Sequence, residues 1–534
     1  MVAPSPVTCA MIGEEPRELL TAEVKELVNK FVRAAVRCKS AGVDGVEVHA
    51  AHGYLINQFL SPYTNLRTDE YGGSFENRIR FLEEIIIGIR EKCGEDYPVT
   101  VRLSADEFVD GGIDLELSKN ISRYLEKLGV DGLHISAGNY DSMDKVIESS
   151  IYEQGWRVYL AEEIKKEVNI PVITVGVIRE PEFAESVLAE GKADFVAIGR
   201  GQIADPEWAK KTLEGREKEI RKCISCLNCV KMALGNGHIE CSVNISAGRE
   251  LEFKEIKPID EKRNVAVVGG GPGGMEAARI LTLKGYDVTI FEKDDKLGGQ
   301  LNLVKQPIAK EKMDWIIQYH SNEMDRLNID VRLNTEASIE AIKAINPYAV
   351  FLATGAKPIL PDLEGINLEN VCDYEDVLLD RKDFSDKKIV VVGSGMVCYS
   401  VTSQLAKQRN EVTLIEVPTE TGSKVTPPTR ELLLNRLKKA NIDIITDQRV
   451  AKILPNSIIV EDGKSGNQRV IDVDHVVFSM GTQAYNPLEE SYQNHFDNVF
   501  VLGDAENPGS ITNAIKEGFE KAFVIESLVT NKHV

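Results

Sequence analysis

Four cysteines form the densest group of potential metal ligands in the 534-residue chain. Cys223, Cys226 and Cys229 are separated by two residues each, and Cys241 follows after a gap of eleven residues. Thiolate is the soft ligand that iron–sulfur clusters select, and a cubic cluster needs four of them. A structural zinc site with four sulfurs is the alternative, although zinc sites usually show two separated C-x-x-C pairs. Because the chain holds only nine cysteines, this spacing indicates a ligand site rather than buried free thiols.

A second reactive group lies within six residues in the N-terminal half. His49 and His52 are three positions apart, and Tyr54 follows two positions later. Two imidazole donors can polarise a carbonyl oxygen, and a tyrosine hydroxyl with an ordinary pKa of about 10 can supply a proton. A single histidine at a strand end is more often structural, but three such groups together favour an active site.

A cation and two glycines follow other predicted strands of this half. Arg102 lies near the end of one strand, where it is either an ion-pair partner or a clamp for an anion. Gly176 and Gly199 follow the last two strands, and Arg200 comes next. Glycines at these points let backbone N–H groups approach a phosphate. A tight turn explains either glycine alone, whereas both together favour a phosphate site.

The C-terminal half contains a strand–glycine–helix pattern that is typical of dinucleotide binding. Gly269, Gly271 and Gly274 form G-x-G-x-x-G after an apolar stretch, and Glu292 ends the next predicted strand. The first glycine makes the tight turn, the second lets a pyrophosphate approach, and the third packs the helix against the strand. The acidic residue is expected to bind the ribose hydroxyls.

The same pattern repeats further along the chain in an altered form. Gly393 and Gly395 follow an apolar strand, and Glu416 ends the next one, but Cys398 replaces the third glycine. A vestigial domain is the alternative, since the cysteine side chain widens the gap between helix and strand. The two retained glycines and Glu416 favour nicotinamide binding. A carboxylate at Glu416 would repel a 2′-phosphate, so we expect NADH in preference to NADPH.

Alternating strands and helices must position these groups in the N-terminal half. A first helical pattern covers Leu19–Ser40. Near-continuously apolar strands are predicted at Val43–His49, Val99–Ser104, Leu133–Ser136, Val172–Val175 and Phe195–Ile198. Helices are predicted at Phe75–Lys92, Leu115–Leu128, Trp156–Val168, Pro181–Glu190 and Pro206–Leu213. This alternation predicts an α/β fold with a parallel sheet, namely a TIM-type (β/α)₈ barrel that lacks three of its strands.

The predicted organisation continues with two Rossmann-like dinucleotide-binding domains. We expect a partial barrel in residues 1–222, a segment with the four cysteines in 223–262, a first dinucleotide-binding domain in 263–383 and 486–534, and a second, NAD(P)-binding domain in 384–485. A net charge of −21 argues against nucleic acid or an anionic membrane as a partner. With no membrane-spanning run and no secretory signal, a cytoplasmic protein is expected, and a homo-oligomer is left open.

Three stretches of the N-terminal half resemble the old yellow enzyme family. They are Val46–Leu55, Gln58–Pro62 and Asn65–Ser74. With the cysteines and the glycine motifs, nearly the whole chain is similar to the iron–sulfur branch of that family, which includes 2,4-dienoyl-CoA reductase, 2-enoate reductase and trimethylamine dehydrogenase. In that branch the first three strands of the barrel precede the region that resembles the start of this chain, so we expect an opened barrel.

The resemblance implies a cofactor and a role for each candidate residue. It implies FMN in the barrel, with Arg102 at the flavin ring edge and Gly176, Gly199 and Arg200 at its phosphate. It implies that His49 and His52 hold an enone carbonyl and that Tyr54 protonates the substrate carbon. In the C-terminal half it implies FAD, and the residues that it places at the FAD site besides the glycine motif are Gln300, Gly503 and Asp504.

The activity that follows from the resemblance is reduction of an activated C=C bond in a small enone or 2-enoate, including a CoA thioester. Electrons would pass from NADH to FAD, then through a 4Fe–4S cluster on the four cysteines to FMN and the substrate. Two alternatives remain: an oxidative amine demethylase of the trimethylamine dehydrogenase type, and an electron-carrier subunit without barrel chemistry.

Overall fold

The chain folds into two units, Met1–Gly201 and Gln202–Val534, in the computed structural model. The structure describes residues 1–532 with the exception of residues 10, 236, 304–309, 417–433 and 436. Of the predicted nicotinamide-binding region, residues 417–433 and 436 therefore lie outside the described residues. None of the described helices is long and apolar enough to cross a membrane.

The first unit is built on a sheet of five parallel strands. Its strands are β1 Val2–Ala3, β2 Arg17–Glu18, β3 Val46–Ala50, β4 Val99–Ser104, β5 Gly132–Ser136, β6 Val172–Val175 and β7 Phe195–Ala197. Its helices are α1 Thr21–Ser40, α2 Leu55–Leu60, α3 Phe75–Cys93, α4 Leu115–Lys127, α5 Met143–Val146, α6 Val158–Lys165 and α7 Pro181–Ala189. Strands β3 to β7 pair in chain order, and β1 pairs with β2 alone.

The five strands that the sequence predicts are all present in this sheet. The first begins at Val46 rather than Val43, whose side chain is exposed. The prediction that the strands are near-continuously apolar is wrong for β3 and β4, in which polar and apolar residues alternate. The apolar side chains of these strands join the core with the helices. The alternation therefore turns the polar side chains to the other face of the sheet.

The sheet of the first unit is open. Strands β3 and β7 lie at its two ends, and among the described residues neither has a second neighbour. Phe195 in β7 is 57% exposed, which is unusual for an aromatic side chain in a parallel sheet. The expectation of an opened barrel with five strands is thus confirmed for the part of the chain that the structure describes.

The second unit contains two doubly wound sheets. Its strands are β8 Asn264–Val268, β9 Asp287–Phe291, β10 Asp330–Arg332, β11 Ala349–Leu352, β12 Ala356–Pro358, β13 Val371–Asp373, β14 Lys388–Gly393, β15 Glu411–Glu416, β16 Asp443–Thr446, β17 Gln448–Leu454, β18 Ser457–Asp462, β19 Gln468–Asp472, β20 His475–Ser479, β21 Thr482–Ala484 and β22 Val499–Val501. One parallel sheet has the order β10-β9-β8-β11-β22, and the other has the order β13-β20-β14-β15-β16. Both are typical of dinucleotide-binding folds.

Helices complete the second unit. They are α8 Arg200–Ala204, which begins in the first unit, α9 Trp208–Leu213, α10 Asn228–Leu234, α11 Pro272–Leu283, α12 Lys310–Arg326, α13 Ile339–Lys343, α14 Tyr374–Leu378, α15 Met396–Lys407, α16 Glu489–Gln493, α17 Ile511–Phe523 and α18 Ile525–Lys532. Two smaller antiparallel sheets, β12-β21 and β17-β18-β19, lie beside the parallel ones. The chain enters the second sheet after β11 and returns to the first sheet at β22. The domain boundaries predicted from the sequence stay predictions.

Candidate functional site

Three ionisable side chains form a row across the sheet of the first unit. The register of the parallel strands places His49 of β3 beside Arg102 of β4, and Arg102 beside His134 of β5. Residues in register on adjacent strands share a face, so all three occupy the polar face. His134 Nδ1 also lies 3.0 Å from Glu47 Oε2, which agrees with a structural role for this histidine.

The turn after β3 brings His52 back over the strand ends. His52 adopts a left-handed conformation (φ 64°), and Gly53 follows with φ 75°. The backbone N–H of His52 donates to Ser104 Oγ at 3.0 Å, and its Nε2 lies 2.6 Å from Ser136 Oγ. Ser104 and Ser136 are the last residues of β4 and β5 and are in register. Sequence reasoning missed these serines, because only the turn brings His52 close to them.

The three predicted catalytic side chains lie together at the carboxyl end of the sheet. The ring centres of His49 and His52 are 5.1 Å apart, and the ring centres of His49 and Tyr54 are also 5.1 Å apart. Tyr54 caps the start of α2 and is 49% exposed, so a ligand can reach its hydroxyl. Tyr140, which the sequence did not single out, packs edge-on against Tyr54 with ring centres 5.6 Å apart. Burial, and then the hydrogen bond to Tyr54, raise the pKa of Tyr140 to about 12.

Burial and Arg102 keep both imidazoles neutral. Burial lowers the pKa of His49, and the positive charge of Arg102 adds to the effect. The same two causes, in the same order, lower the pKa of His52 to about 2. A neutral imidazole can donate one hydrogen bond and accept another, so each ring keeps an N–H that can donate to a carbonyl oxygen.

The depressed pKa of His52 predicts a pH dependence of stability. The unfolded chain takes up a proton at this residue below its ordinary pKa of about 6.5, whereas the folded chain does not until about pH 2. Folding stability should therefore fall as the pH drops below about 6.5. In a His52→Asn variant, whose side chain tolerates the left-handed turn, this contribution of about 1.4 kcal/mol per pH unit should be absent.

The measurement is the free energy of unfolding of the wild type and of the variant between pH 7 and pH 5. His495→Asn is the matched control, because it makes the same replacement at an exposed histidine. Equal slopes for wild type and His52→Asn would contradict the burial of a neutral imidazole.

Two buried polar atoms on the polar face are positioned to receive a ligand. His49 Nδ1 and Arg102 Nε have no hydrogen-bond partner among the described residues. An unpaired buried donor or acceptor is costly, and such atoms are usually satisfied by a bound group. The residues present therefore fit a planar heterocycle with polar edges, such as the flavin that the sequence predicts, together with a carbonyl oxygen.

The predicted phosphate-binding residues lie near a buried carboxylate. Arg200 donates to Glu148 Oε2 at 2.8 Å, and Arg157 lies 3.1 Å from Glu148 Oε1. A Cβ at Gly176 would come within 2.3 Å of Arg157 Nε, so this glycine leaves room for a guanidinium. A Cβ at Gly199 would meet no atom within 4 Å, so that backbone stays open to a ligand.

The sequence prediction missed Arg157 and Glu148 at this site. Both side chains are almost fully buried, and Arg157 Nε also donates to the Val175 carbonyl at 2.7 Å. Two guanidinium groups against one carboxylate leave an excess of positive charge beside Gly199. This charge balance fits a phosphate group. Arg200 follows Glu148 by 52 residues in the chain, and this separation hides their pairing in the sequence.

The FAD-type motif folds as predicted. Gly271 caps α11, and a Cβ there would meet no atom within 4 Å, which leaves room for a ligand. A Cβ on Gly274 would lie 2.0 Å from the Gly269 carbonyl oxygen, so the helix can approach the turn only with glycine. Glu292 accepts hydrogen bonds from the backbone N–H of Gly270 at 2.7 Å and of Asp294 at 2.9 Å.

The later residues predicted for FAD converge on the same turn. A Cβ on Gly299 would lie 3.1 Å from Gly271 Cα, which places the turn that holds Gln300 next to the start of α11. The side chain of Gln300 donates to the Ala356 carbonyl at 2.7 Å. The backbone N–H of Gly503 donates to Glu517 at 2.7 Å, and burial raises the pKa of Asp504. These residues fit a dinucleotide on α11.

The second glycine turn lies between β14 and α15. A Cβ on Gly393 would lie 2.0 Å from the Ser479 carbonyl oxygen, and one on Gly395 would meet open space. Glu416 ends β15, which pairs in parallel with β14, so this residue lies at the same end of the sheet as the turn. The prediction of nicotinamide binding is compatible with this arrangement. Cys398 is buried in the core behind the turn.

The cysteine segment carries the donor atoms for a cluster. Burial raises the pKa of Cys241 to about 12, and backbone N–H groups of Val243 and Asn244 reach its sulfur. The backbone N–H of Ser225 donates to Cys223 Sγ at 3.4 Å. Such N–H···S contacts accompany thiolate ligation of iron–sulfur clusters. Within the described ranges no group of three or more His, Cys, Asp and Glu side chains is placed to hold a metal ion. The 4Fe–4S assignment stays a prediction that the donor chemistry fits.

Two family models match the chain. The NADH:flavin oxidoreductase / NADH oxidase family matches residues 4–219, and the pyridine nucleotide-disulphide oxidoreductase family matches residues 263–518. The two matches fall on the five-stranded sheet and on the pair of doubly wound sheets.

Similar proteins cover almost the whole chain. It is 47% identical over 530 residues to an NADH oxidase of Thermoanaerobacter brockii, and this alignment covers 98% of this chain and 81% of the relative. It is 32% identical over 541 residues to a cinnamate reductase of Clostridium sporogenes, and this alignment covers 98% of this chain and 80% of the relative. A solved complex of 2-naphthoyl-CoA reductase with 2-naphthoyl-CoA superposes with a TM-score of 0.93 at 32% identity, covering 98% of this chain and 80% of that one.

Proposed function

The chain belongs to the NADH:flavin oxidoreductase / NADH oxidase family, and on that premise we propose that it reduces an activated C=C bond of an enone or 2-enoate with NADH. The observation that carries the proposal is the cluster of His49, His52 and Tyr54 at the carboxyl end of the open sheet. The names of the cinnamate reductase and 2-naphthoyl-CoA reductase relatives support a conjugated small-molecule substrate, including a CoA thioester.

The roles of the three side chains follow from their chemistry. The polar face of the sheet, with Arg102, would hold a flavin, and a reduced flavin there would supply the hydride for one carbon of the double bond. The two neutral imidazoles hold the carbonyl oxygen of the substrate and stabilise the negative charge that develops on it. His49, with an unpartnered Nδ1, is free to take this hydrogen bond. Tyr54, which is half exposed, gives its proton to the other carbon.

The proposed donor side lies in the second unit. NADH would bind at Gly393, Gly395 and Glu416, FAD at the α11 turn, and a 4Fe–4S cluster at Cys223, Cys226, Cys229 and Cys241. In the first unit, Arg102 would contact the FMN ring, and Gly176, Gly199 and Arg200 would surround its phosphate. We propose that electrons pass from NADH through these sites, in that order, to the substrate.

One purified sample tests the proposal. Flavin and iron are quantified, and NADH oxidation is then followed without oxygen, in the presence and absence of cinnamate or 2-cyclohexenone. We expect FMN, FAD and iron, and NADH oxidation that depends on the enone or enoate with stoichiometric formation of the saturated product. Both flavins and iron with no dependence on any conjugated carbonyl compound would refute C=C reduction.

A second candidate function is reduction of dioxygen with NADH. It is favoured by the 47% identity to an NADH oxidase. NADH oxidation in air that is independent of enone, with peroxide or water as the product, would support it. Oxidation of a methylated amine coupled to NAD⁺ reduction would instead support the demethylase, and FAD and iron without FMN would support the electron carrier.

A further inference from the structure

A tyrosine and a glutamate form a buried pair at the proposed nicotinamide site. Tyr399 of α15 donates its hydroxyl hydrogen to Glu416 Oε1 at 2.5 Å. Tyr399 is 1% exposed and Glu416 is fully buried. The pair joins the first turn of the helix that follows the glycine turn to the end of the neighbouring strand, so it connects the two elements that a dinucleotide would contact.

The other oxygen of this carboxylate is unsatisfied. Glu416 Oε2 is buried and has no hydrogen-bond partner among the described residues. A carboxylate oxygen accepts up to two hydrogen bonds, and leaving one buried without a donor is unfavourable. Among the described residues no donor reaches this oxygen, and a ligand hydroxyl would supply one.

The position of Glu416 identifies the class of hydroxyl. In doubly wound folds the acidic residue at the end of the second strand binds the ribose hydroxyls of the dinucleotide. Glu416 ends β15, directly beside β14 and its glycine turn. A ribose 2′-hydroxyl can donate to Oε2, whereas a 2′-phosphate brings only acceptors and negative charge.

We propose that Tyr399 is a positioning residue that holds Glu416 by one oxygen and presents the other to the ribose 2′-hydroxyl, so that the pair sets the preference for NADH over NADPH. This inference rests on the proposed function, since it assumes nicotinamide binding at this turn. Without Tyr399 the carboxylate could rotate away from an incoming 2′-phosphate. With it, the charge is fixed where repulsion is strongest, because burial weakens screening.

The chemistry of the hydroxyl suits this role. Burial, and then the neighbouring carboxylate, raise the pKa of Tyr399, so the hydroxyl keeps its proton and stays a donor. Phenylalanine at this position would keep the ring in the core and remove only that donor. Glutamine at position 416 would keep the shape and the contact with Tyr399, but it would remove the charge.

The test measures binding of two ligands without a nicotinamide ring, ADP-ribose and 2′-phospho-ADP-ribose, to the oxidised holoprotein by calorimetry. For the wild type we expect tighter binding of ADP-ribose. Tyr399→Phe should weaken the binding of ADP-ribose about tenfold, because the carboxylate of Glu416 loses the hydrogen bond that positions it. The ratio of the dissociation constants of the two ligands should become smaller. Glu416→Gln should make the same ratio of dissociation constants smaller, chiefly because the phosphorylated ligand binds more tightly.

Kinetics provide a second readout. In the anaerobic reduction of flavin by NADH, Tyr399→Phe should raise KM and leave kcat unchanged. Tyr492→Phe is the matched control, because it removes another buried tyrosine hydroxyl of the second unit, which donates to the Ala337 carbonyl. This control should bind both ligands like the wild type.

Three results would overturn the inference. The first is that the ratio of the two dissociation constants is unchanged in both Tyr399→Phe and Glu416→Gln while NADH still reduces the wild-type flavin. This result would leave the proposed function intact. The second is tighter binding of ADP-ribose by Tyr399→Phe, which would mean that the tyrosine covers the ribose site. The third is a wild type that binds neither ligand and is not reduced by NADH, which would refute the nicotinamide step of the proposed function as well.

Discussion

Replacing Tyr54 with phenylalanine is expected to slow C=C reduction by about 10² to 10⁴-fold, the usual contribution of a positioned general acid. The substitution removes the proton donor and keeps the ring that packs against His49 and Tyr140. Reduction of the flavins by NADH should be unchanged, because that half-reaction needs no proton from Tyr54. The measurement is a rapid-mixing experiment in which the reduced enzyme is mixed with the enone or enoate.

A matched control and one contrary outcome belong to this prediction. Tyr124→Phe removes a tyrosine hydroxyl of the same unit, one that donates to Glu83 at 2.6 Å on the helical layer, and it should react like the wild type. If Tyr54→Phe reduced the substrate at the wild-type rate with normal flavin reduction, another group would be the acid. Tyr140, which contacts Tyr54, would then be the first residue to replace.

Replacing Cys229 or Cys241 with alanine is expected to remove most of the iron and to abolish electron delivery from NADH to the enone. A cubic cluster needs all four thiolates, so the loss of one ligand destabilises the whole group. NADH should still reduce FAD, since the glycine turns of the second unit are untouched. Iron content, the visible spectrum and anaerobic product formation measure the three effects separately.

Cys38→Ala is the matched control for the cysteine variants. Cys38 is a free, half-buried cysteine at the end of α1, and its loss should change neither iron content nor product formation. Wild-type iron in both Cys229→Ala and Cys241→Ala would refute the ligand assignment. If the wild type contained zinc in place of iron, the four cysteines would form a structural zinc site and would not carry electrons.

Much of the fold could be predicted from short stretches of sequence. Each of the five strands of the first unit, each glycine turn and the cysteine spacing depends on fewer than about twenty contiguous residues. Hydrophobic periodicity and turn residues determine the structure of such short stretches locally. The types and spacing of His49, His52 and Tyr54 favour an active site, and the structure places the three side chains within one cluster. Their catalytic roles stay predictions.

Contacts between distant residues could not be predicted in this way. Glu148 contacts both Arg157 and Arg200, although 52 residues separate it from Arg200 in the chain. His52 meets Ser104 and Ser136 only through a left-handed turn that histidine seldom adopts.

The sequence by itself determined the class of fold, the glycine turns and the residue types available for chemistry, since these depend on local periodicity and spacing. Only the tertiary structure decided which side chains meet: the row of His49, Arg102 and His134, and the pair of Tyr399 and Glu416. Strand register and loop path set these distances. Both depend on packing across the whole unit, which no short stretch of sequence encodes.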